Sequence, residues 1–268
     1  MSRENFESCL DFVFEREGGY VDDPHDPGGA TNMGITLATL AAWRGRAVTK
    51  GEVRGLSRAE TAAIYQDRYW RPVGGDALPT GLDLFAFDTG VHSGPKTAIR
   101  LLQRGLGGID ADGRLGRQTL AAAARADGPA AIRRACAARL AYMHGLRNWS
   151  RNQNGWTKRV ALLEARATRM WLETAGHDPA PLLGAEAKRT EKANATRDAQ
   201  AAGSSGAAAT AIAGAVTLLP DRIALAITAL VVLALGCVIW RLLRGHLHDV
   251  ARRAAFTAEG RLLASRRA

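Results

Sequence analysis

Glu15-Arg16-Glu17-Gly18-Gly19-Tyr20-Val21-Asp22-Asp23-Pro24, continued by His25-Asp26-Pro27-Gly28-Gly29-Ala30-Thr31-Asn32-Met33-Gly34-Ile35-Thr36, reads as a helix, a double-glycine stop and a tight polar loop. Upstream, Phe6, Leu10, Val13 and Glu17 recur at spacings of four, three and four. That rhythm puts the Glu17 carboxylate on the same helix face as three apolar side chains. Gly18 and Gly19 end the helix, because glycine takes positive φ without strain. At that end the helix dipole opposes negative charge, which suits a group that holds a proton and then donates it. Glu15 and Arg16 point elsewhere around the helix. A plain helix cap and surface hairpin would explain the glycines but not an inward-facing glutamate.

The loop offers Asp22, Asp23, Asp26, Thr31 and Asn32 between prolines and glycines that restrict its conformations. Three close aspartates raise the question of a metal. No glutamate closes an EF-hand spacing and no His or Cys cluster accompanies them, so neither metal nor cofactor is expected.

Working outward, the helix over 5–17 delivers Glu17, and Leu37-x-x-Leu40-Ala41 starts a short helix that Gly45 ends. Ser57-Arg58-Ala59-Glu60 is a capping box opening a helix to Trp70, which Pro72 stops. Ile64, Tyr65, Tyr69 and Trp70 load that helix with apolar and aromatic side chains, and Tyr69 and Trp70 are candidates to line a sugar cleft. Leu82, Phe85, Ala86 and Thr89 mark another helix, Gly94-Pro95 a fresh start, Gly128-Pro129 a long helix, and Trp156 to Thr174 the last of the series. Apart from a hairpin at 18–36, nothing reads as strand.

At this point Glu17-Gly18-Gly19-Tyr20, Asp23-Pro24 and Gly28-Gly29-Ala30-Thr31-Asn32-x-Gly34-Ile35-Thr36 resemble the signature of glycoside hydrolase family 108. The likeness continues through Ile64-Tyr65-x-x-x-Tyr69-Trp70 and Phe87-Asp88-x-x-Val91-x-x-Gly94. His92 stands where that family more often has asparagine. Asp112-Gly113-x-x-Gly116-x-x-Thr119 and Gly155-Trp156-x-x-Arg159 resemble the helical peptidoglycan-binding module that usually follows. The resemblance implies a lysozyme-like N-acetylmuramidase of phages or bacterial secretion systems, with Glu17 as catalytic acid. A looser resemblance to other phage lysozymes implies that Asp26 and Thr31 position water. Tyr20, Asn32, Tyr69, Trp70, His92 and Trp156 are the corresponding candidates to bind the glycan.

Charge is uneven along the 268 residues: net −5 over 1–93, +10 over 94–175 and +5 over the remainder. The basic part suits an anionic polymer. Glycan-family motifs, and no nucleic-acid motif, direct that reading to the cell wall, so nucleic acid is not an expected partner. Cys9, Cys136 and Cys237 are scattered and form no disulfide framework or zinc pattern. Charged residues interrupt any N-terminal signal sequence. Ile223 to Trp240 is a run of 18 residues without a charge, long enough for a membrane-spanning helix. By the positive-inside tendency, the arginine-rich tail beyond it stays cytoplasmic.

The expected architecture is therefore all-α. A lysozyme-like domain with a small loop-and-hairpin lobe covers 1–93, and a peptidoglycan-binding module covers 94–175. A linker follows at 176–205, then a membrane segment at 206–240 (223–240 spanning, 206–219 a possible hairpin partner) and a basic cytoplasmic tail at 241–268. The expected function is cleavage of the β-1,4 bond between N-acetylmuramic acid and N-acetylglucosamine in peptidoglycan strands by an enzyme held at the bacterial inner membrane. A lytic transglycosylase or a non-catalytic wall-binding protein are the alternatives.

Overall fold

The computed structural model describes residues 2–22, 29–196 and 247–266. Helix α1 (Ser2–Glu17) leads to a hairpin of β1 (Thr31–Asn32) and β2 (Ile35–Thr36). Then come α2 (Leu37–Arg44), α3 (Lys50–Arg54) and α4 (Arg58–Tyr65), which continues as a π-turn over Gln66–Trp70. Helices α5 (Leu82–Ser93), α6 (Pro95–Leu106), α7 (Arg117–Arg125), α8 (Gly128–His144) and α9 (Trp149–Thr174) follow, with α10 over 179–196 and α11 over 247–266. The chain forms two compact units, one of residues 1–146 with 166–177, the other of 147–165 with 178–268.

Local sequence explains most boundaries. Ser57 Oγ accepts from the Glu60 N–H at 3.1 Å, as its capping position predicts. Thr49 and Glu52 form the reciprocal box at α3. Pro95 opens α6 after Gly94, and Asp127 caps α8. One boundary departs from expectation: the helix begun at Ser57 does not run regularly to Trp70. The Arg71 N–H reaches back to Gln66 O, a spacing of five. This wider turn re-aims Tyr69 and Trp70 relative to an unbroken α-helix.

The core of the first unit is an aromatic cluster. Phe6 of α1 meets Trp70 and Phe87 edge to face, with centroids 5.3 and 5.9 Å apart, and Trp70 meets Phe87 at 5.5 Å. Cys9, Leu10, Phe12 and Val13 are fully buried along α1. Helix α5 is the hub, packing on α6 and α8. A Cβ on Gly105 of α6 would lie 2.5 Å from Ala135 Cβ of α8, so glycine sets how closely these helices approach. Asp88 of α5 pairs with Arg139 of α8 at 2.5 Å with neither side chain exposed. Losing one partner of such a pair costs about 3–5 kcal/mol.

The Asp112–Thr119 motif has a structural role in this unit. The Gln103 amide donates to Asp112 Oδ1 at 2.8 Å and Thr119 Oγ1 at 3.0 Å, and its oxygen accepts from the Gly113 N–H at 2.8 Å. The loop between α6 and α7 is thus folded around one buried glutamine.

In the second unit, α11 packs Ala255, Phe256 and Leu263 against Ala161, Ala165 and Leu183. Arg252 binds Glu164 at 2.8 Å and Glu186 at 2.7 Å while its guanidinium lies over the Phe256 ring. Most of what reads in sequence as a basic tail is therefore an amphipathic helix whose central arginine is neutralised by two carboxylates.

The expected fold class needs correction. The described chain is mainly helical with a two-stranded hairpin, and no described helix is long and apolar enough to cross a membrane. The apolar stretches 206–219 and 223–240 lie outside the described residues. Among the described residues the expected membrane-spanning helix, the membrane as a partner and the inner-membrane location therefore find no support.

Asp83, at the start of α5, is fully buried. Burial pushes its carboxyl up to about 7, against hydrogen bonds from the Leu84 and Gly81 N–H groups and the Asn5 amide, which favour the anion. A carboxyl that binds its proton more tightly when folded gives stability that is complete below its unfolded value of 3.8 and is lost as pH rises through about 7. Thermal unfolding across that window should show a fall in melting temperature that Asp83→Asn flattens. Equal slopes for the two proteins would remove Asp83 as the source.

Candidate active site

Glu17 is the last residue of α1, half-buried, with the chain turning away at Gly18 in a left-handed conformation, φ 70°. The following strand returns through a bridge between Val21 and Thr31, whose N–H and C=O groups exchange two 2.8 Å hydrogen bonds. Asn32 then pairs with Ile35 across a two-residue turn, Met33-Gly34. Both turn residues have positive φ, 47° and 74°, the type I′ geometry whose twist suits a hairpin. Methionine is strained there, and its carbonyl is held by the Tyr65 hydroxyl, which donates to it at 3.0 Å.

That hydroxyl fixes the site. A Cβ on Gly34 would fall 2.2 Å from Tyr65 Oη and 3.1 Å from Glu17 Oε2. The turn backbone therefore runs directly against the carboxylate and the phenol, with room only for glycine. Tyr65 is itself locked edge to face with Phe14 of α1 at 5.6 Å and tilted against Tyr69 at 5.4 Å. Burial raises the Tyr69 phenol, Arg68 opposes that shift, and the charge of Glu17 adds to it, so both charges reach the Tyr69 hydroxyl.

The expected site residues divide into distinct groups. Glu17, Tyr69 and the Thr31 hairpin come together, and Thr31 is half-buried with its hydroxyl 3.3 Å from Gly29 O. Asp26 lies outside the described residues. Tyr20 is half-buried beneath the Arg54 guanidinium, 4.4 Å from its ring centroid. Asn32 is buried, its amide donating to Val53 O and Arg54 O at 3.0 Å each, so it ties the hairpin to the end of α3. Trp70 has no exposed surface, and its indole N–H donates to Asp76 Oδ1 at 2.9 Å, which makes it a core residue beneath the site. His92 lies in the last turn of α5 with Nδ1 2.9 Å from Ser93 Oγ. Trp156 belongs to the second unit, tilted against Trp149. Among the described residues no group of three or more His, Cys, Asp or Glu side chains could hold a metal.

Sequence reasoning did not reach Gly34, Tyr65, Arg54 and Arg68 as site residues. Gly34 and Tyr65 stand inside motifs read from the sequence, but 31 positions separate them, and no local pattern announces the contact.

The glycosyl hydrolase 108 family model matches residues 10–94. The structure of Brucella abortus SagA is 46% identical, covering 63% of this chain and 97% of that one with a TM-score of 0.57. The chain belongs to glycosyl hydrolase family 108. No curated protein matches it. As a member of that family it is a glycoside hydrolase, of the muramidase type that acts on peptidoglycan. The matched stretch contains the whole site, from Glu17 through the hairpin and the π-turn.

Gly34→Ala adds a strained φ and a clash with Tyr65 Oη, and should lower stability by about 1–3 kcal/mol. Tyr65→Phe removes the clashing atom, so the double variant should lose less than the two single losses added together. A double-mutant cycle by denaturant unfolding checks this, and strict additivity would disprove the contact.

Proposed function

We propose that this family 108 hydrolase cleaves the β-1,4 bond between N-acetylmuramic acid and N-acetylglucosamine, with Glu17 as general acid. The observation that carries the reading is the Glu17 carboxylate at a helix end, beside the Gly34 backbone that also lies against the Tyr65 hydroxyl. Glu17 gives its proton to the leaving glycosidic oxygen as positive charge grows on the sugar ring. Water then adds to the anomeric carbon, and its proton passes to a carboxylate. Asp26, nine residues beyond Glu17 in sequence, is the carboxylate we assign to that water, and Thr31, on β1, orients it. Tyr20 and Tyr69 offer ring surface to the sugars. The net +10 of residues 94–175 suits the same anionic polymer.

Glu17→Gln keeps the volume and removes the proton, so it should abolish nearly all release of soluble muropeptides from sacculi. Glu15→Gln, at an exposed residue paired with Arg16, should retain the wild-type rate. Wild-type clearing by Glu17→Gln would refute the assignment.

The released fragments should end in reducing N-acetylmuramic acid with the gain of one water. Mass spectrometry of digested sacculi reads this directly. Fragments dominated by 1,6-anhydro ends would make the enzyme a transglycosylase.

A further inference from the structure

Residues 1–93 carry a net charge of −5, and an acidic surface repels an anionic polymer. Most described cations of this stretch are already neutralised. Arg16 faces Glu15, Arg44 faces Glu52 and Glu60, Arg46 faces Glu52, Lys50 faces Asp22, Arg58 faces Asp11, and Arg71 faces Asp67. Among the described side chains of the stretch, Arg54 and Arg68 are the arginines without a carboxylate in ion-pair reach.

Both belong to the site. The Arg54 carbonyl accepts from the Asn32 amide at 3.0 Å, and its guanidinium lies 4.4 Å from the Tyr20 ring centroid. Arg54 is thus tied to each of the two segments that flank the acid, the one leaving Glu17 and the one returning to Gly34. Arg68 lies in the π-turn beside Tyr69, where its charge and that of Glu17 act on the same hydroxyl. A guanidinium stacked on a ring keeps its N–H edge available for a planar carboxylate. An unpaired arginine on open surface is ordinarily just solvated. Here both unpaired arginines touch or adjoin the tyrosines that meet the sugars.

Resting on the reading that the Glu17 cleft takes the wall glycan, we propose that Arg54 and Arg68 determine specificity by binding carboxylates carried on the substrate's sugars. Two substituents of peptidoglycan supply that chemistry, the lactyl group of muramic acid when free and the acidic residues of the stem peptide. A neutral glycan of the same linkage supplies neither. The arginines therefore distinguish the charged wall polymer from uncharged chitin-like chains.

The test uses the full chain on three substrates: native sacculi, sacculi whose carboxylates have been converted to amides, and glycan stripped of stem peptides. Amidation should raise the wild-type KM about tenfold, the scale of charge-assisted pairs at a partly exposed site, with kcat within about twofold. The Arg54→Gln/Arg68→Gln double variant should show the same KM on native and amidated sacculi. Arg54→Lys, in the Arg68→Gln background, should keep part of the difference, because the charge stays while the stacked fork is lost. A low wild-type KM on stripped glycan assigns the contact to the lactyl carboxylate, and a high one assigns it to the stem peptide. A wild-type enzyme indifferent to amidation, or a double variant as sensitive to it as wild type, overturns the proposal. The wild-type comparison needs no variant to fold. Glu17→Gln separately reports the glycan-cleft reading: if it stays active that reading falls, whereas indifference to amidation removes only the arginines.

Discussion

A single residue without a side chain, Gly34, lies against Glu17 and Tyr65 together. At Gly34 any Cβ would collide with Tyr65 Oη at 2.2 Å and crowd Glu17 Oε2 at 3.1 Å, so the hairpin turn can lie in one place only. Its position is inherited in turn. Tyr65 holds the Met33 carbonyl and is wedged against Phe14 and Tyr69, and Asn32 anchors the hairpin to the carbonyl end of α3. The Gly34 backbone therefore lies close to both the Tyr65 hydroxyl and the Glu17 carboxylate, although Glu17 stands on a helix whose own rhythm already turned it inward. Strain at Met33 is tolerated because the surrounding bonds over-determine the turn.

The supporting unit is larger than the stretch matching the family. Residues 10–94 end at the close of α5, yet α5 buries Asp88, and the cation that compensates it comes from Arg139 of α8. A carboxylate with no exposed surface and no counter-charge would be costly, so α5 and α8 depend on each other. Gly105 lets α6 meet α8 at contact distance. The step in net charge near residue 93 is accordingly a change in surface composition inside one compact unit of residues 1–146 and 166–177.

What the sequence revealed follows from the range of each interaction. The α1 face, the double-glycine stop, the Ser57 cap and the Gly94-Pro95 restart depend on neighbours within a turn or two, and each appears where its pattern places it. The Thr49–Glu52 box is equally local, with both partners within one turn of the sequence. Trp70 looked like a cleft aromatic because composition cannot say that a π-turn and Phe6 would enclose it. Asn32 looked like a sugar ligand because its true acceptors, the carbonyls of Val53 and Arg54, are 21 and 22 residues away. The stretch 241–268 read as a basic cytoplasmic tail because its apolar positions, Phe256 and Leu263, have meaning only beside Leu183 and Ala161.

Charge organises the molecule on two length scales. Between exposed charges, attraction fades over roughly 8–10 Å at physiological salt, so a diffuse surplus such as the net +10 of 94–175 can gather a polymer without choosing a bond in it. Choice requires direct contact beside Glu17 itself. In the acidic stretch most cations are tied into ion pairs, which fix helices to one another but present little field to a ligand. Lys50 shows the contrast: it stands four residues, about one helical turn, before Arg54 in α3, and it is committed to Asp22. Arg54, at the far end of that helix, is stacked on Tyr20, three residues from Glu17. On the same short helix one cation is thus paired with a carboxylate and the other is stacked on a ring, so the two ends of α3 differ in the charge they leave open.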